Sequence, residues 1–271
     1  GVYEVLPRML ELFRKYDIKV TFASVGMLFA DGVETLYKYL PPTLPNYSKK
    51  VFSPYGQYLE QLKTDEVLDA YHFAGSLIEL IQSFPEHEIG SHTFSHYYTL
   101  EEGQTLEQFE ADLNAAIRIA KDQGIELESL VFPRNQYAAE HLASISKLGF
   151  RSFRGNEKAW FYQVGPDAAN SLLKRAFKLL DSYLNISGHN TTKLSQIGSS
   201  LPYNIPSSCF LRPYSTRLKP FEGLRLKRIK KSMEYAAQQG EVFHLWWHPH
   251  NFGMIQDANF NFLEEILKHY S

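Results

Sequence analysis

A chain of 271 residues is long enough to bury a sizeable core as one large α/β domain. Its 28 Lys and Arg against 30 Asp and Glu leave a net charge of -2, so overall charge gives no reason to expect nucleic acid or an anionic membrane as partner. The single cysteine, Cys209, excludes an internal disulfide framework and a Cys-rich zinc site.

In chain order, residues 2–16 place Val5, Leu6, Met9, Leu10 and Phe13 at helical spacing, with Pro7 tolerable in the first turns. Glu4, Arg8 and Glu11 interrupt this stretch, so it does not read as a signal peptide, and localisation stays open. Ile18–Val25 reads as a strand closed by Gly26, and the proline-rich 40–58 as an irregular excursion. A helix is expected from Thr64 to Ser83, capped by Thr64 and Asp65, followed by a short strand at Glu88–Ile89. Helices are expected over 105–123, 138–147, 166–183, 222–239 and 257–270. Between them, Leu130–Phe132, Phe150–Phe153, Phe210–Tyr214 and Val242–Trp247 read as strands, and the polar 185–208 as a long loop.

This βα alternation predicts parallel strands with right-handed crossovers in a single α/β domain spanning 1–271, a barrel or distorted barrel, with the site at the strands' C-terminal ends. No run approaches the roughly 20 apolar residues of a membrane span.

Three segments carry candidate chemistry. In Glu88-Ile-Gly-Ser-His92-Thr-Phe-Ser-His96 two imidazoles sit four apart after a strand, and one helical turn over 92–96 would aim both at one ion. Thr93 where HExxH proteases carry Glu separates it from that motif. In Val242-Phe-His244-Leu-Trp-Trp247-His248-Pro-His250 an apolar strand delivers His248 and His250 to the rim, where either suits protonation of a leaving group, while His244 inside the strand reads as core. In Phe132-Pro133-Arg134-Asn135 the arginine is a fixed cation at a strand's end that suits bidentate carboxylate binding.

Together with Val20-Thr-Phe-Ala-Ser-Val-Gly26, these segments resemble the polysaccharide deacetylase (NodB-homology) family, carbohydrate esterase family four, in the family's own order over residues 18–252. The resemblance implies a distorted (β/α) barrel and hydrolysis of acetyl groups on N-acetylated or O-acetylated sugars of a glycan. It implies zinc or another divalent metal ion on His92 and His96, with His248 as acid, His250 the next candidate for that role and Arg134 tethering the base. Phe132, Pro133, Asn135, Trp160 and Trp247 fall at substrate-binding positions, although Glu157-Lys-Ala-Trp160 lacks the usual aspartate of its motif. The family's Asp-Asp pair, its base and third metal ligand, is not among these residues; its place is just before Gly1, on a first strand that the chain is expected to lack. As alternatives the sequence allows an inactive, carbohydrate-binding relative, or a barrel glycosidase, for which the motifs hold few carboxylates. Oligomeric state is not legible.

Overall fold

The computed structural model describes residues 1–63, 72–163 and 172–271. The helices are α1 Val2–Lys15, α2 Val33–Tyr39, α3 Gln57–Leu62, α4 Gly75–Gln82, α5 Leu106–Asp122, α6 Ala139–Lys147, α7 Leu172–Leu184, α8 Glu222–Gln239 and α9 Gln256–Tyr270. The strands are β1 Thr21–Ser24, β2 Glu88–Ser91, β3 Ser129–Leu130, β4 Ser152–Phe153, β5 Thr192–Lys193, β6 Tyr203–Asn204, β7 Cys209–Phe210, β8 Glu241–Val242 and β9 Leu245–Trp246. Residues 64–71, with the expected cap at Thr64 and Asp65, and 164–171 lie outside the described residues.

The organising layer is a parallel sheet in the order β1-β2-β3-β4-β6. Its register runs Ser24↔Ser91, Ser91↔Leu130, Leu130↔Phe153 and Phe153↔Asn204, so five loops leave the sheet at one level. Two smaller ladders, β5 with β8 antiparallel and β7 with β9 parallel, stand apart. Among the described residues no ladder joins β1 to them, so the five-stranded sheet ends at β1. The expected strand Val242–Trp247 is split in two. At the break the His244 amide donates to Ser208 Oγ at 3.0 Å, and the His244 carbonyl accepts from Ser208 and Cys209.

Local chemistry explains the long helices. α5 starts with reciprocal capping: Thr105 Oγ1 accepts the Gln108 amide at 3.2 Å, and the Gln108 side chain accepts the Thr105 amide at 3.0 Å. α8 stops at Gly240, whose φ of 63° lies in the left-handed region that glycine enters without steric cost. α1 buries two stripes against different partners: Leu6 and Leu10 face Phe29, Leu77 and Ile89, whereas Val5, Met9 and Phe13 face Leu211, Ile229 and Leu263. Burying each such side chain contributes about 1.5–3 kcal/mol, enough to keep α1 helical despite Pro7. A third cluster, Phe109, Leu113, Phe132, Phe150 and Phe153, packs α5 and α6 beneath β3 and β4.

Candidate active site

The site is built where β1, β2, β3 and β4 end. His92 follows β2, and its amide donates to the Ser24 carbonyl at 2.8 Å. Residues 92–96 do not form the helical turn that the spacing suggested. Thr93 (φ 63°) and His96 (φ 59°) both take left-handed backbone conformations, costly for a β-branched residue, so the surroundings must hold them. Asp112, fully buried in α5, does so: it accepts the Phe94 amide at 2.7 Å, the Ser95 amide at 3.2 Å and the Ser95 hydroxyl. Thr93 Oγ1 accepts the Tyr97 amide at 2.7 Å. Burial pushes the Asp112 carboxyl up to about 6, against the pull of those donors.

On the other side Gly26 and Met27 donate to the Thr93 and Phe94 carbonyls, each at 2.9 Å. A Cβ on Gly26 would lie 2.7 Å from Phe94 Cδ2 and 3.0 Å from Phe94 Cα, so only glycine lets β1's exit lie against this turn.

The turn brings the His92 and His96 ring centroids to 4.8 Å. His92 Nδ1 lies 2.7 Å from the Val131 carbonyl, which can only accept, so Nδ1 carries the proton and Nε2 keeps its lone pair. Burial, then repulsion from His96, lowers the His92 pKa to about 3; burial, then Arg134, lowers that of His96. Both rings are therefore neutral at pH 7, the form that ligates metal.

A cavity of about 670 Å³ is lined by His92, with His96 behind it outside the lining. Residues 19–25 of β1 and its lead-in line it together with 242–250, and His92 and Arg154 line it as well. Since β1 pairs only with β2 among the described strands, its free edge faces this cavity. His248 and His250 stack at the mouth with centroids 5.2 Å apart. Although its ring reaches solvent, partial desolvation, followed by repulsion from His250, Arg154 and His96, lowers the His248 pKa to about 4. His244, read as core, also lines the cavity, with Nδ1 3.2 Å from the Ile205 carbonyl.

The remaining sequence candidates separate. Arg134 pairs with Glu101 at 2.8 Å and lies over the Tyr98 ring at 4.0 Å, outside the cavity lining. The Phe132 ring is buried in the core against Phe109 and Tyr137, and Pro133 is buried beside it. Asn135 accepts from Arg154 through Oδ1 at 2.7 Å, Trp247 lines the cavity, and Trp160 is exposed against Phe177.

Arg154 is the residue that sequence reasoning missed. It follows β4 as Arg134 follows β3, it stacks on Trp246 at 3.8 Å, and its Nε is buried without a hydrogen-bond partner. The signal was present: a cation directly after the expected strand Phe150–Phe153. Among the described residues no carboxylate lies within ion-pair distance of it, and burial lowers its pKa to about 10. Glu157, buried three residues on, acts on Arg154 electrostatically but does not line the cavity, and Glu88 lines it only from the opposite end of β2, accepting from Thr21. Among the described residues no group of three or more His, Cys, Asp or Glu gathers as a metal cluster.

The imidazoles thus lie past the C-terminal ends of a parallel sheet, where α/β folds place their sites. The chain belongs to the polysaccharide deacetylase family, whose model matches residues 1–153. Family membership makes it a hydrolase of acetylated sugars, in a family that is generally metal-dependent. Its fold is similar to the crystal structure of a Mycobacterium smegmatis protein assigned as a polysaccharide deacetylase, at 13% identity and a TM-score of 0.53, covering 98% of this chain and 70% of that one. A Pseudomonas aeruginosa PAO1 protein with the same assignment aligns at 12% identity and a TM-score of 0.48, covering 99% and 68%. No curated protein matches the chain.

Proposed function

We propose that this protein is a metal-dependent hydrolase that removes acetyl groups from N-acetylated, or O-acetylated, sugars of a polysaccharide or glycan. The observation that carries the reading is the meeting of His92 with His248 and His250, from distant parts of the chain, at one cavity, with the His96 ring against that of His92 and its charge felt at His248. His92, with Nε2 free, and His96 are the donors that would hold zinc or a similar divalent ion. Such an ion supplies Lewis-acid polarisation of the acetyl carbonyl and lowers the pKa of water.

The chain's own residues do the rest. His248 would protonate the departing nitrogen, which an amide needs more than an ester does, so an N-acetyl substrate would suit it best. Its lowered pKa means that it needs an anion nearby to keep that proton near neutral pH. Arg154 is the guanidinium that would orient a carboxylate base, because Arg134 is already engaged by Glu101. A parallel strand laid along the free edge of β1 would end beside Ser24 and His92, where the expected aspartate pair is required.

Zinc titration of residues 1–271, beside a version extended upstream of Gly1 and assayed for acetate release from an acetylated amino-sugar oligomer, tests this. We expect weak binding by 1–271, a further loss of about tenfold in His92→Ala or His96→Ala, and tight binding with activity in the longer chain. Equal, tight binding by both lengths would refute the missing-ligand argument, and binding that survives both alanine variants would overturn the ligand assignment. A second reading, an inactive carbohydrate-binding relative, is favoured by the lack of an acid beside the histidines among the described residues; glycan binding without acetate release by the longer chain would select it.

A further inference from the structure

Helices α5 and α6 open with one device built from different side chains. In α5 the third helical residue, Gln108, accepts the Thr105 amide, and Thr105 Oγ1 accepts the Gln108 amide in return. In α6 the third residue is His141, whose Nδ1 lies 3.1 Å from the Ala138 amide nitrogen. Ala138 has no side-chain acceptor to offer in return, so the imidazole carries the cap.

An amide nitrogen only donates, so Nδ1 keeps its lone pair and the ring proton sits on Nε2. That Nε2 is buried without a partner, and the ring is 1% exposed, set T-shaped against Phe109 of α5 with centroids 5.0 Å apart. Protonation is therefore opposed in three ways. It destroys the acceptor, it leaves a charge out of water, and it puts a cation at a helix N-terminus, where the backbone dipole repels it. Burial accordingly lowers the His141 pKa. Two acids face this region: Glu140, exposed on α6 and pulling the other way, and Glu110 on α5, which accepts the Ser144 hydroxyl at 2.5 Å.

The loop that ends at this cap reaches the cavity. Asn135 Oδ1 accepts from Arg154, a lining residue, and the Gln136 carbonyl accepts the Thr99 hydroxyl at 2.6 Å. We propose that His141 is a proton-operated cap. Neutral, it locks the first turn of α6 and the loop 133–138 before it; protonated, it releases both, and with them the acceptor that orients Arg154. The device belongs to the fold and operates whether or not the chain hydrolyses acetylated sugars. Because the folded-state pKa lies below that of a free imidazole, about 6.5, the lock is complete above that pH and is lost as pH falls through it.

Hydrogen exchange of the Ala138 amide, corrected for the intrinsic pH dependence of exchange, reads the cap directly. We expect its protection to fall about tenfold for each pH unit below about 6.5. His141→Gln supplies the acceptor that Gln108 uses in α5 and cannot be charged, so its protection should stay level from about pH 7 to about pH 5. His141→Ala should lack that protection throughout the range. Other histidines that titrate low act on parent and glutamine variant alike, so the difference between the two isolates His141. An NMR titration of the parent's histidine rings keeps the test open if the glutamine variant does not fold: the His141 ring should stay neutral through pH 6.5. Protection in the parent that ignores pH, an equal loss in parent and His141→Gln, or a His141 ring that titrates at or above its ordinary value in the folded chain would overturn the proposal.

Discussion

Replacing Asp112 by alanine should destabilise the protein by about 3–5 kcal/mol and weaken zinc binding about tenfold or more, in whichever length of chain binds the ion. Asp112 is fully buried and holds two amides and one hydroxyl of the turn that carries His92 and His96. Each buried donor left without a partner costs about 1–3 kcal/mol, and the better helix propensity of alanine returns only about half a kcal/mol. Against a total stability of about 5–15 kcal/mol the loss is large. The binding defect has a separate origin: without the carboxylate, nothing in α5 opposes relaxation of the left-handed Thr93 and His96. Asp112→Asn keeps one acceptor and should lose about half as much stability. Urea unfolding with parallel zinc titration measures both effects, and an alanine variant within about 1 kcal/mol of the parent would show that the turn does not depend on Asp112.

Asp181 should prove equally costly to remove, for a different reason. Its carboxylate takes Arg228 at 2.8 Å, the Tyr162 hydroxyl at 2.8 Å, and the amide and hydroxyl of Ser187 at 2.6 and 2.9 Å. Asp181→Ala leaves a buried guanidinium uncompensated, and a loss of about 3–5 kcal/mol is expected. Arg228→Met leaves the acid three other donors, so its loss should be smaller, about 1–3 kcal/mol. In the double variant Asp181→Leu/Arg228→Met neither charge remains to be desolvated, and much of the loss should be recovered. A double-mutant cycle by urea unfolding reads the coupling, and strictly additive losses would mean that the two residues are not energetically paired.

The sequence made the helices legible wherever a long periodic stripe met an identifiable end, as in α5 with its capping box and α8 with Gly240. It overstated the strands. Apolar runs such as Val242–Trp247 report burial, but burial does not require an unbroken ladder, and Ser208 supplies the His244 backbone with other partners. At the site the residue types were legible and the geometry was not. Two imidazoles four apart suggested a helical turn, whereas tertiary hydrogen bonds donated to Asp112 hold left-handed backbone at Thr93 and His96, against local preference. Asp112 itself was a readable signal, an acid set among Phe109, Leu113 and Ala116 on the buried stripe of α5. Arg134 and Arg154 follow successive strands, and only the fold shows that Glu101 engages the first while the second enters the cavity.

Cys209 is the chain's one cysteine, buried on β7, with Arg228 donating toward its sulfur. Burial raises its thiol to about 11, so in the folded protein it is both protonated and out of reach of alkylating reagents. Unfolding removes both protections together. The molecule therefore carries an intrinsic clock: the rate at which a thiol reagent labels it under native conditions counts the openings of the layer held by Asp181 and Arg228, with no probe to be engineered in.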